Sequence, residues 1–239
     1  VMLIACALGN AQETYHPTAE NLKARKEFQD EKFGIFLHWG LYSMMGVGEW
    51  VMTNKDIHYK EYPKLAETFY PSAFDADEWV KEIKASGAKY ITITTRHHDG
   101  FSLFKTTTGK YNVVDGTPFK RDIIKELADA CHRHGIKLHL YYSHLDWGRE
   151  DYPQGRTGLG TGRPKEKANW ASYYNFMNTQ LTELLTHYGP VGAIWFDGWW
   201  DHDSDPKPFD WELTKQYALI HKLQPQCLIG NNHHQTPYP

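Results

Sequence analysis

Apolar and amphipathic segments alternate along the chain. Five short runs rich in β-branched and aromatic residues are typical of buried strands, and they fall at residues 33–40, 89–98, 137–143, 193–197 and 227–231. The segments around and between them have the charge or the three-to-four-residue apolar spacing of helices, at residues 18–32, 75–86, 121–134, 168–188 and 210–223. The pattern therefore predicts strands and helices in alternation.

Local signals mark the ends of the predicted helices. Asp75 and Glu78 have the spacing of a capping box, which begins a helix. Gly135 follows the segment 121–134 and is predicted to end that helix. Gly189 and Pro190 end the next helix, because proline has no backbone N–H to continue it.

Alternating strands and helices are the signature of parallel βαβ units. We predict an α/β fold of the (β/α)8-barrel type, incomplete, with about five βα units in residues 13–239. The alternative is an open, doubly wound sheet, which binds a phosphate at a glycine-rich first turn. The first predicted strand is not followed by G-x-G-x-x-G, and this favours the barrel.

Polar side chains gather where the predicted strands end. They are His38, His97 and His98, Tyr142 and Ser143, Asp197, and His233 and His234. A barrel collects the carboxyl ends of its strands in one mouth. We therefore expect these side chains to share a site.

The stretch AIWFDGWW at residues 193–200 is the strongest single candidate. Its apolar run ends in Asp197, at the tip of a predicted strand, and two tryptophans follow. Indole rings stack on the apolar faces of sugars, and a carboxylate can attack an anomeric carbon. We predict that Asp197 is a nucleophile; an ordinary Asp-Gly turn is the structural alternative.

Composition narrows the classes of function. With 41% hydrophobic residues the chain is expected to be globular, and its net charge of -3 gives no electrostatic reason to expect nucleic acid or an anionic membrane. No run approaches the ~20 apolar residues of a transmembrane helix. The aromatic share of 15% favours a carbohydrate ligand. Cys6, Cys131 and Cys227 form no close pairs, so neither a zinc motif nor a disulfide framework is indicated.

The first twelve residues, VMLIACALGNAQ, are apolar and then small. They are typical of the end of a secretory signal peptide with cleavage near Ala11, so we expect export to the periplasm or the cell exterior. Residues 3–6 also resemble a bacterial lipoprotein cleavage box, which would place a lipid anchor on Cys6. We expect residues 13–239 to form the amino-terminal part of the barrel.

Residues 144–167 are predicted to form a long loop, which contains five glycines and three arginines. Loops of this length in compact domains are usually functional or mobile. Because this loop follows a predicted strand, we expect it to lie over the mouth of the barrel.

Five motifs in this order resemble the family 29 glycoside hydrolases, the α-L-fucosidases. They are KFGIFLHWGLYS, GEW, YITITTRHHDGFSLF, LHLYYSHLDW and IWFDGWW, and the similarity runs from about Glu27 to the end of the chain. The resemblance implies a (β/α)8-like domain that removes terminal α-L-fucose from oligosaccharides or glycoconjugates with retention of configuration. It implies no cofactor and no metal ion.

The resemblance also implies roles for individual residues. Asp197 matches the family's nucleophile. The residues that match sugar-binding positions are His38, Glu49, Trp50, His97 and His98, with Tyr142 preferred over Tyr141, Trp199 or Trp200 on the apolar face of fucose, and His233 or His234 beyond the last strand.

Two departures from the family pattern concern the end of the chain. The family's acid/base glutamate lies on a later loop, and the last glutamate here is Glu212, which falls on a predicted helix and is a poor candidate. We therefore expect the acid/base to be absent and residues 1–239 alone to be poorly soluble and inactive. The sequence GNNHH at residues 230–234 stands where many members carry an arginine.

Two other classes of function remain open. A metal-dependent hydrolase could use His97, His98, Asp197, His233 and His234 as ligands, although adjacent histidines on a strand point to opposite faces. A non-catalytic sugar-binding barrel would explain the aromatic residues and the absent acid/base together.

Overall fold

The computed structural model describes residues 15–232. Its helices are α1 (Ala19–Glu31), α2 (Val51–Asn54), α3 (Ala76–Ala85), α4 (Ile123–His134), α5 (Trp170–His187) and α6 (Leu213–Leu223). Its strands are β1 (Gly34–Leu37), β2 (Tyr90–Arg96), β3 (Lys137–Ser143), β4 (Ala193–Asp197) and β5 (Leu228–Asn231). Short 3₁₀ helices lie at Leu41–Met45, Tyr62–Thr68, Leu159–Thr161, Lys165–Lys167 and Trp199–His202.

The five strands form one parallel sheet in chain order, β1-β2-β3-β4-β5. A doubly wound sheet reverses its strand order at a switch point, and residues 15–232 contain no such reversal. The α/β fold of the barrel type is therefore confirmed, with five of its strands in this part of the chain.

Two strands are shorter than their apolar runs predict. The run 33–40 forms only Gly34–Leu37, and the run 89–98 forms only Tyr90–Arg96. In β2 the pairing with β3 shifts register between Thr94 and Arg96, which interrupts the ladder. The histidines that follow therefore lie beyond the strand.

Side chains cap the helices where the sequence indicates. Asp75 Oδ1 accepts a hydrogen bond of 3.0 Å from the Glu78 N–H and begins α3. Asn169 Oδ1 accepts a hydrogen bond of 3.1 Å from the Ser172 N–H and caps α5. This helix therefore begins at Trp170, two residues later than predicted. Gly135 ends α4 in the left-handed region, with φ +69°.

The core lies on both faces of the central strands. The side chains of β2 and β3 are buried along nearly the whole of each strand, as expected for a parallel sheet covered on both sides. The apolar stripe of α5, formed by Tyr173, Met177, Leu181 and Leu184, is fully buried in the same core cluster. Core packing therefore explains that stripe.

Helix α1 crosses the amino ends of the strands. Lys137, the first residue of β3, forms ion pairs of 2.7 Å with Glu27 and with Glu31. Asn21 Nδ2 donates to the carbonyl of Cys227, just before β5, at 3.2 Å. Helix α1 therefore covers the amino ends of the strands, and the candidate site lies at their carboxyl ends.

Within residues 15–232, no helix has both the length and the apolar character needed to cross a membrane. Cys131 and Cys227 are buried free thiols. The predicted signal segment at residues 1–12, with Cys6, lies outside the described residues.

Candidate active site

Asp197 is the last residue of β4, and its carboxylate is held by four donors. Oδ1 accepts hydrogen bonds from the Gly198 N–H at 2.8 Å, Trp200 Nε1 at 2.9 Å and Asn232 Nδ2 at 3.0 Å. Oδ2 accepts one hydrogen bond of 2.9 Å from the Tyr141 hydroxyl. The Asp197 side chain remains slightly exposed.

The surroundings of Asp197 stabilise its ionised form. Burial raises the pKa of Asp197, but the nearby His98 and the hydrogen bonds from Trp200 and Tyr141 lower it by more. The pKa of Asp197 is therefore held well below its usual value. A nucleophile must be ionised to attack, and this carboxylate is ionised at any ordinary pH.

Tyr141 occupies the position for which the sequence favours Tyr142. Successive side chains of a strand point to opposite faces, so only one of the two tyrosines can reach Asp197. The Tyr142 hydroxyl instead donates to Gln180 Oε1 on α5 at 2.7 Å, behind the sheet. The structure therefore places Tyr141, and not the favoured Tyr142, beside Asp197.

His97 and His98 lie side by side rather than on opposite faces. Their ring centroids are 4.2 Å apart, because both residues follow the end of β2 and the alternation of the strand no longer applies. His98 Nε2 lies 3.4 Å from Asp197 Oδ2, and the ring of His97 lies 5.5 Å from that of His38. The three predicted histidines thus converge on the same site as Asp197.

Burial favours the neutral form of two of these histidines. Burial lowers the pKa of His97 well below its usual value. Burial also lowers the pKa of His38, and the charges of Glu49 and Asp197 offset only part of that effect. A neutral imidazole has one donor and one acceptor nitrogen, which suits sugar hydroxyls.

Tryptophan rings form one wall of the site. Trp50 stacks on Trp200 with ring centroids 5.4 Å apart and an interplanar angle of 16°. Trp147 meets Trp50 edge to face at 5.3 Å and His98 at 5.1 Å. Trp200, rather than the predicted Trp199, touches Asp197; Trp199 is half-buried against the core.

A buried carboxylate, Asp201, fastens the long loop to the wall. Its Oδ1 accepts from the backbone N–H of Thr157 at 2.9 Å and from the Thr157 hydroxyl at 2.6 Å, and its Oδ2 accepts from the Tyr152 hydroxyl at 2.9 Å. The Thr157 hydroxyl also accepts from Trp147 Nε1 at 2.9 Å. The loop predicted to cover the mouth is therefore tied to the segment that follows Asp197.

Asn232 and Asp201 carry contacts that sequence reasoning did not assign. Asn232 lies 35 positions from Asp197 in the chain, and Asp201 lies 44 positions from Thr157. Only the position of Asn232 just after the last strand could have indicated its place. His233 and His234 lie outside the described residues.

Glu212 is bonded away from the site. Its Oε1 accepts from Trp170 Nε1 at 3.2 Å, and its Oε2 pairs with Lys215 at 2.6 Å. Within residues 15–232, no group of three or more His, Cys, Asp or Glu side chains is arranged to hold a metal ion. The described site is thus an ionised carboxylate surrounded by imidazole and indole rings.

The α-L-fucosidase family model matches residues 2–239 of the chain. The chain belongs to the α-L-fucosidase family. Human plasma α-L-fucosidase is 37% identical over 234 residues, which cover 88% of this chain and 47% of that protein. The chain spans about half the length of the curated relatives it matches.

Solved α-L-fucosidases share the fold described above. Isoenzyme 1 from Paenibacillus thiaminolyticus is 35% identical with a TM-score of 0.77, over 88% of this chain and 50% of that one. AlfC from Lactobacillus casei, solved in complex with its α-L-fucose product, is 33% identical with a TM-score of 0.76, over 87% of this chain and 70% of that one. These similarities extend the family assignment to the three-dimensional fold.

Proposed function

We propose that this α-L-fucosidase family member hydrolyses terminal α-L-fucosides with retention of configuration, through a covalent fucosyl-enzyme on Asp197. The observation that carries the proposal is the Asp197 carboxylate at the end of β4, with three donors on Oδ1 and one on Oδ2. Complexes of the relative AlfC with α-L-fucose support the choice of sugar.

Oδ2 of Asp197 is the attacking oxygen in this proposal. Oδ1 already accepts three hydrogen bonds, from Gly198, Trp200 and Asn232, so its lone pairs are occupied. Oδ2 accepts one, from Tyr141, and has His98 Nε2 at 3.4 Å, so it is the less engaged of the two oxygens. The donors on Oδ1 fix the plane of the carboxylate and orient Oδ2 toward an anomeric carbon in the mouth.

The reaction proceeds in two displacements. Oδ2 attacks the anomeric carbon as the glycosidic C–O bond breaks, and the departing oxygen takes a proton from a general acid, which leaves the fucosyl ester and a free alcohol. Water then attacks the same carbon, loses a proton to the general base, and releases fucose and the carboxylate. We assign the acid/base to no residue in 15–232, since Glu212 is bonded elsewhere.

The substrates we propose are fucosylated oligosaccharides or glycoconjugates. The neutral His38 and His97 offer both donors and acceptors to hydroxyl groups, and Glu49 lies close enough to His38 to influence its pKa. The Trp50 and Trp200 rings provide apolar surface for the methyl group and C–H face of fucose. Export of the protein is a further proposal, testable by fractionating cells that express the natural gene.

Azide rescue tests the proposed nucleophile. Full-length protein is assayed for release of nitrophenol from an aryl α-L-fucoside, with Asp197→Ala and the matched Asp197→Asn as variants. We expect both variants to lose about 10⁴-fold or more of kcat/KM. Azide should restore turnover of Asp197→Ala as β-fucosyl azide, because the anion fits the space that the carboxylate leaves. Full activity of Asp197→Ala would refute the assignment.

The two rival functions give different results in the same assay. A metal-dependent hydrolase loses activity when a chelator is added, whereas the proposed mechanism predicts unchanged kcat/KM in the presence of EDTA. A sugar-binding barrel binds the aryl fucoside without releasing nitrophenol. Folded wild-type protein that binds but does not turn over would therefore replace the hydrolase proposal with the binding one.

A further inference from the structure

Three tryptophan rings surround the imidazole of His98. The centroids of Trp147, Trp200 and Trp50 lie 5.1, 5.7 and 5.8 Å from that of His98, and each ring meets it edge to face. We call these three rings the indole cage. They come from separate segments, because Trp50 precedes α2, Trp147 follows β3 and Trp200 follows β4. The shape of the site therefore depends on how these segments are held together.

The Thr157 hydroxyl joins two members of the cage. An indole N–H can only donate, and Trp147 Nε1 donates to Thr157 Oγ1 at 2.9 Å. The hydroxyl and the backbone N–H of Thr157 donate to Asp201 Oδ1, at 2.6 and 2.9 Å. Asp201 is buried and directly follows Trp200 in the chain. Thr157 therefore holds Trp147 directly and holds the segment of Trp200 through Asp201.

Gly158, the next residue of the long loop, joins the third member. Its N–H donates to Thr53 Oγ1 at 3.0 Å, and Thr53 lies on α2, three residues after Trp50. Gly158 also packs directly on Trp147, since a Cβ at this position would lie 2.5 Å from Trp147 Cδ1. Its φ of +67° is in the left-handed region that favours glycine. Thr157 and Gly158 together thus contact all three segments of the cage.

The long loop is anchored on both sides of this dipeptide. Before it, the Tyr152 hydroxyl and the Arg156 N–H both donate to Asp201, at 2.9 Å each. After it, the Thr161 carbonyl accepts a hydrogen bond of 2.8 Å from the Tyr59 N–H. The dipeptide therefore has a fixed place in the fold, against which the tryptophans can be positioned.

We propose that Thr157 and Gly158 are positioning residues, which hold the indole cage around His98. The consequence for turnover rests on the proposed function. Trp200 Nε1 donates to the Asp197 carboxylate at 2.9 Å, and His98 Nε2 lies 3.4 Å from it. A displaced cage therefore displaces groups that contact the proposed nucleophile. Misplacement of catalytic groups by about 1 Å can cost about 100-fold in rate.

The indole ¹H–¹⁵N resonances of the substrate-free, full-length protein report the cage without any turnover. Those of Trp147 and Trp200 are identified by their loss in Trp147→Phe and Trp200→Phe. Thr157→Val keeps the shape of the side chain but removes the hydroxyl, and we expect both resonances to shift. Thr157→Ser is expected to restore the wild-type positions. A Trp200 resonance that stays in place in Thr157→Val would overturn the proposal.

Kinetics with the aryl α-L-fucoside separates positioning from folding. We expect Thr157→Val to lose about 10- to 100-fold of kcat/KM, and Thr157→Ser to recover most of it. The matched control is Thr117→Val, since Thr117 is also a buried loop residue, whose hydroxyl donates to the Val113 carbonyl and accepts from the Phe119 N–H. Both valine variants should lower the urea midpoint, but Thr117→Val should keep the wild-type kcat/KM and Trp147 resonance. Equal losses of kcat/KM in the two variants would refute positioning.

A second variant, Thr53→Val, carries the test if Thr157→Val does not fold. Thr53 is half-buried on the short helix α2, and this substitution removes the acceptor of the Gly158 N–H. We expect the indole resonance of Trp50 to shift and kcat/KM to fall about three- to tenfold, the size of one lost hydrogen bond. Thr53→Ser should restore both quantities. If neither quantity changes in Thr53→Val, Gly158 does not position the cage and the proposal fails.

The two measurements distinguish failure of this inference from failure of the proposed function. If Thr157→Val shifts both indole resonances but wild-type protein releases no nitrophenol, the hydrolase proposal fails while the anchoring of the cage stands. If nitrophenol is released and Thr157→Val leaves kcat/KM unchanged, the positioning role fails and the hydrolase proposal stands.

Discussion

The Tyr141 hydroxyl lies 2.9 Å from Asp197 Oδ2, and it is the one donor on that oxygen among the hydrogen bonds of residues 15–232. The next residue, Tyr142, is equally buried but donates to Gln180 at 2.7 Å on the other face of the sheet. The two adjacent tyrosines therefore form a natural matched pair, one in the site and one in the core.

Replacing these two tyrosines should separate activity from stability. Tyr141→Phe removes a donor from the attacking oxygen, and we expect kcat/KM to fall about 10- to 100-fold, the cost of one charge-assisted hydrogen bond. Tyr142→Phe leaves Gln180 Oε1 buried without that donor and should lower the free energy of unfolding by about 1–3 kcal/mol with little change in kcat/KM. Aryl fucoside kinetics and urea unfolding of both variants check the pair. The reverse assignment of effects would mean that Tyr142 faces the substrate.

The sequence alone could not show which of the two tyrosines faces the mouth of the barrel. The two-residue period of a strand requires that Tyr141 and Tyr142 point to opposite faces, but it does not say which face belongs to which residue. Gln180, which decides the matter, is 38 positions away on α5. The apolar runs did predict the strands, and their ends did predict the place of Asp197.

The adjacent histidines show a second limit of prediction from the sequence. The two-residue period of a regular strand would point His97 and His98 to opposite faces, which counted against a shared metal site. The register shift near Arg96 ends that strand early, and the two rings come together at 4.2 Å. A bulge depends on pairing with the neighbouring strand, so it cannot be predicted from the periodicity of one segment.

Trp200 Nε1 contributes to the low pKa of Asp197, and this predicts a pH effect. A carboxyl group whose pKa is depressed in the folded state stays ionised until the pH falls through that low value. Trp200→Phe removes the 2.9 Å hydrogen bond, so the pKa of Asp197 rises, and the acid limb of kcat/KM moves to higher pH by up to about one unit. The measurement is kcat/KM for the aryl fucoside from pH 7 down to the lowest pH at which the protein stays folded.

The control for Trp200 is its stacking partner, Trp50. Trp50→Phe changes the same aromatic stack, at 5.4 Å, but keeps all donors to Asp197. We expect KM to rise in Trp50→Phe while the acid limb stays in place. An acid limb that moves equally in both variants would show that the stack, and not the indole N–H, sets the pKa of Asp197.

The buried ion pair between Arg96 and Asp146 should account for a large part of the stability of the site. Arg96 is fully buried and also donates to the carbonyl of Ser143 at 2.9 Å. Asp146 Oδ1 accepts from the backbone N–H groups of Gly148 and Arg149 at 2.7 and 2.8 Å. The pair thus connects the end of β2 with the start of the long loop.

Removing one partner of this pair leaves the other charge buried. We expect Asp146→Ala to lower the free energy of unfolding by about 3–5 kcal/mol, and Arg96→Met with Asp146→Ala to cost less than the sum of the single changes. The exposed pair of Lys125 and Asp129 is the control, for which Asp129→Ala should cost about 0.5 kcal/mol or less. Urea unfolding of all four variants gives the comparison. Additive losses in the double variant would mean that the two charges act independently.

Gly198 follows Asp197 in a backbone conformation with φ +96°, and there is no room for a side chain. A Cβ at this position would lie 2.9 Å from the backbone nitrogen of Leu145 and 3.0 Å from its Cγ. Gly87 has nearly the same φ, +91°, but a Cβ at that position would meet no atom within 4 Å. A Cβ would therefore collide with Leu145 at Gly198 but with nothing at Gly87, whereas the backbone strain would be nearly the same at both positions.

Substituting alanine at both positions isolates the effect of that contact. Gly87→Ala should cost about 1 kcal/mol of unfolding free energy, from the left-handed backbone alone, with kcat/KM unchanged. Gly198→Ala should cost about 1–3 kcal/mol more, because Leu145 must move. It should also lower kcat/KM, since the Gly198 N–H is a donor to Asp197 Oδ1 at 2.8 Å. Urea unfolding and aryl fucoside kinetics give both quantities, and equal costs for the two variants would mean that the loop after β3 yields to the new methyl group.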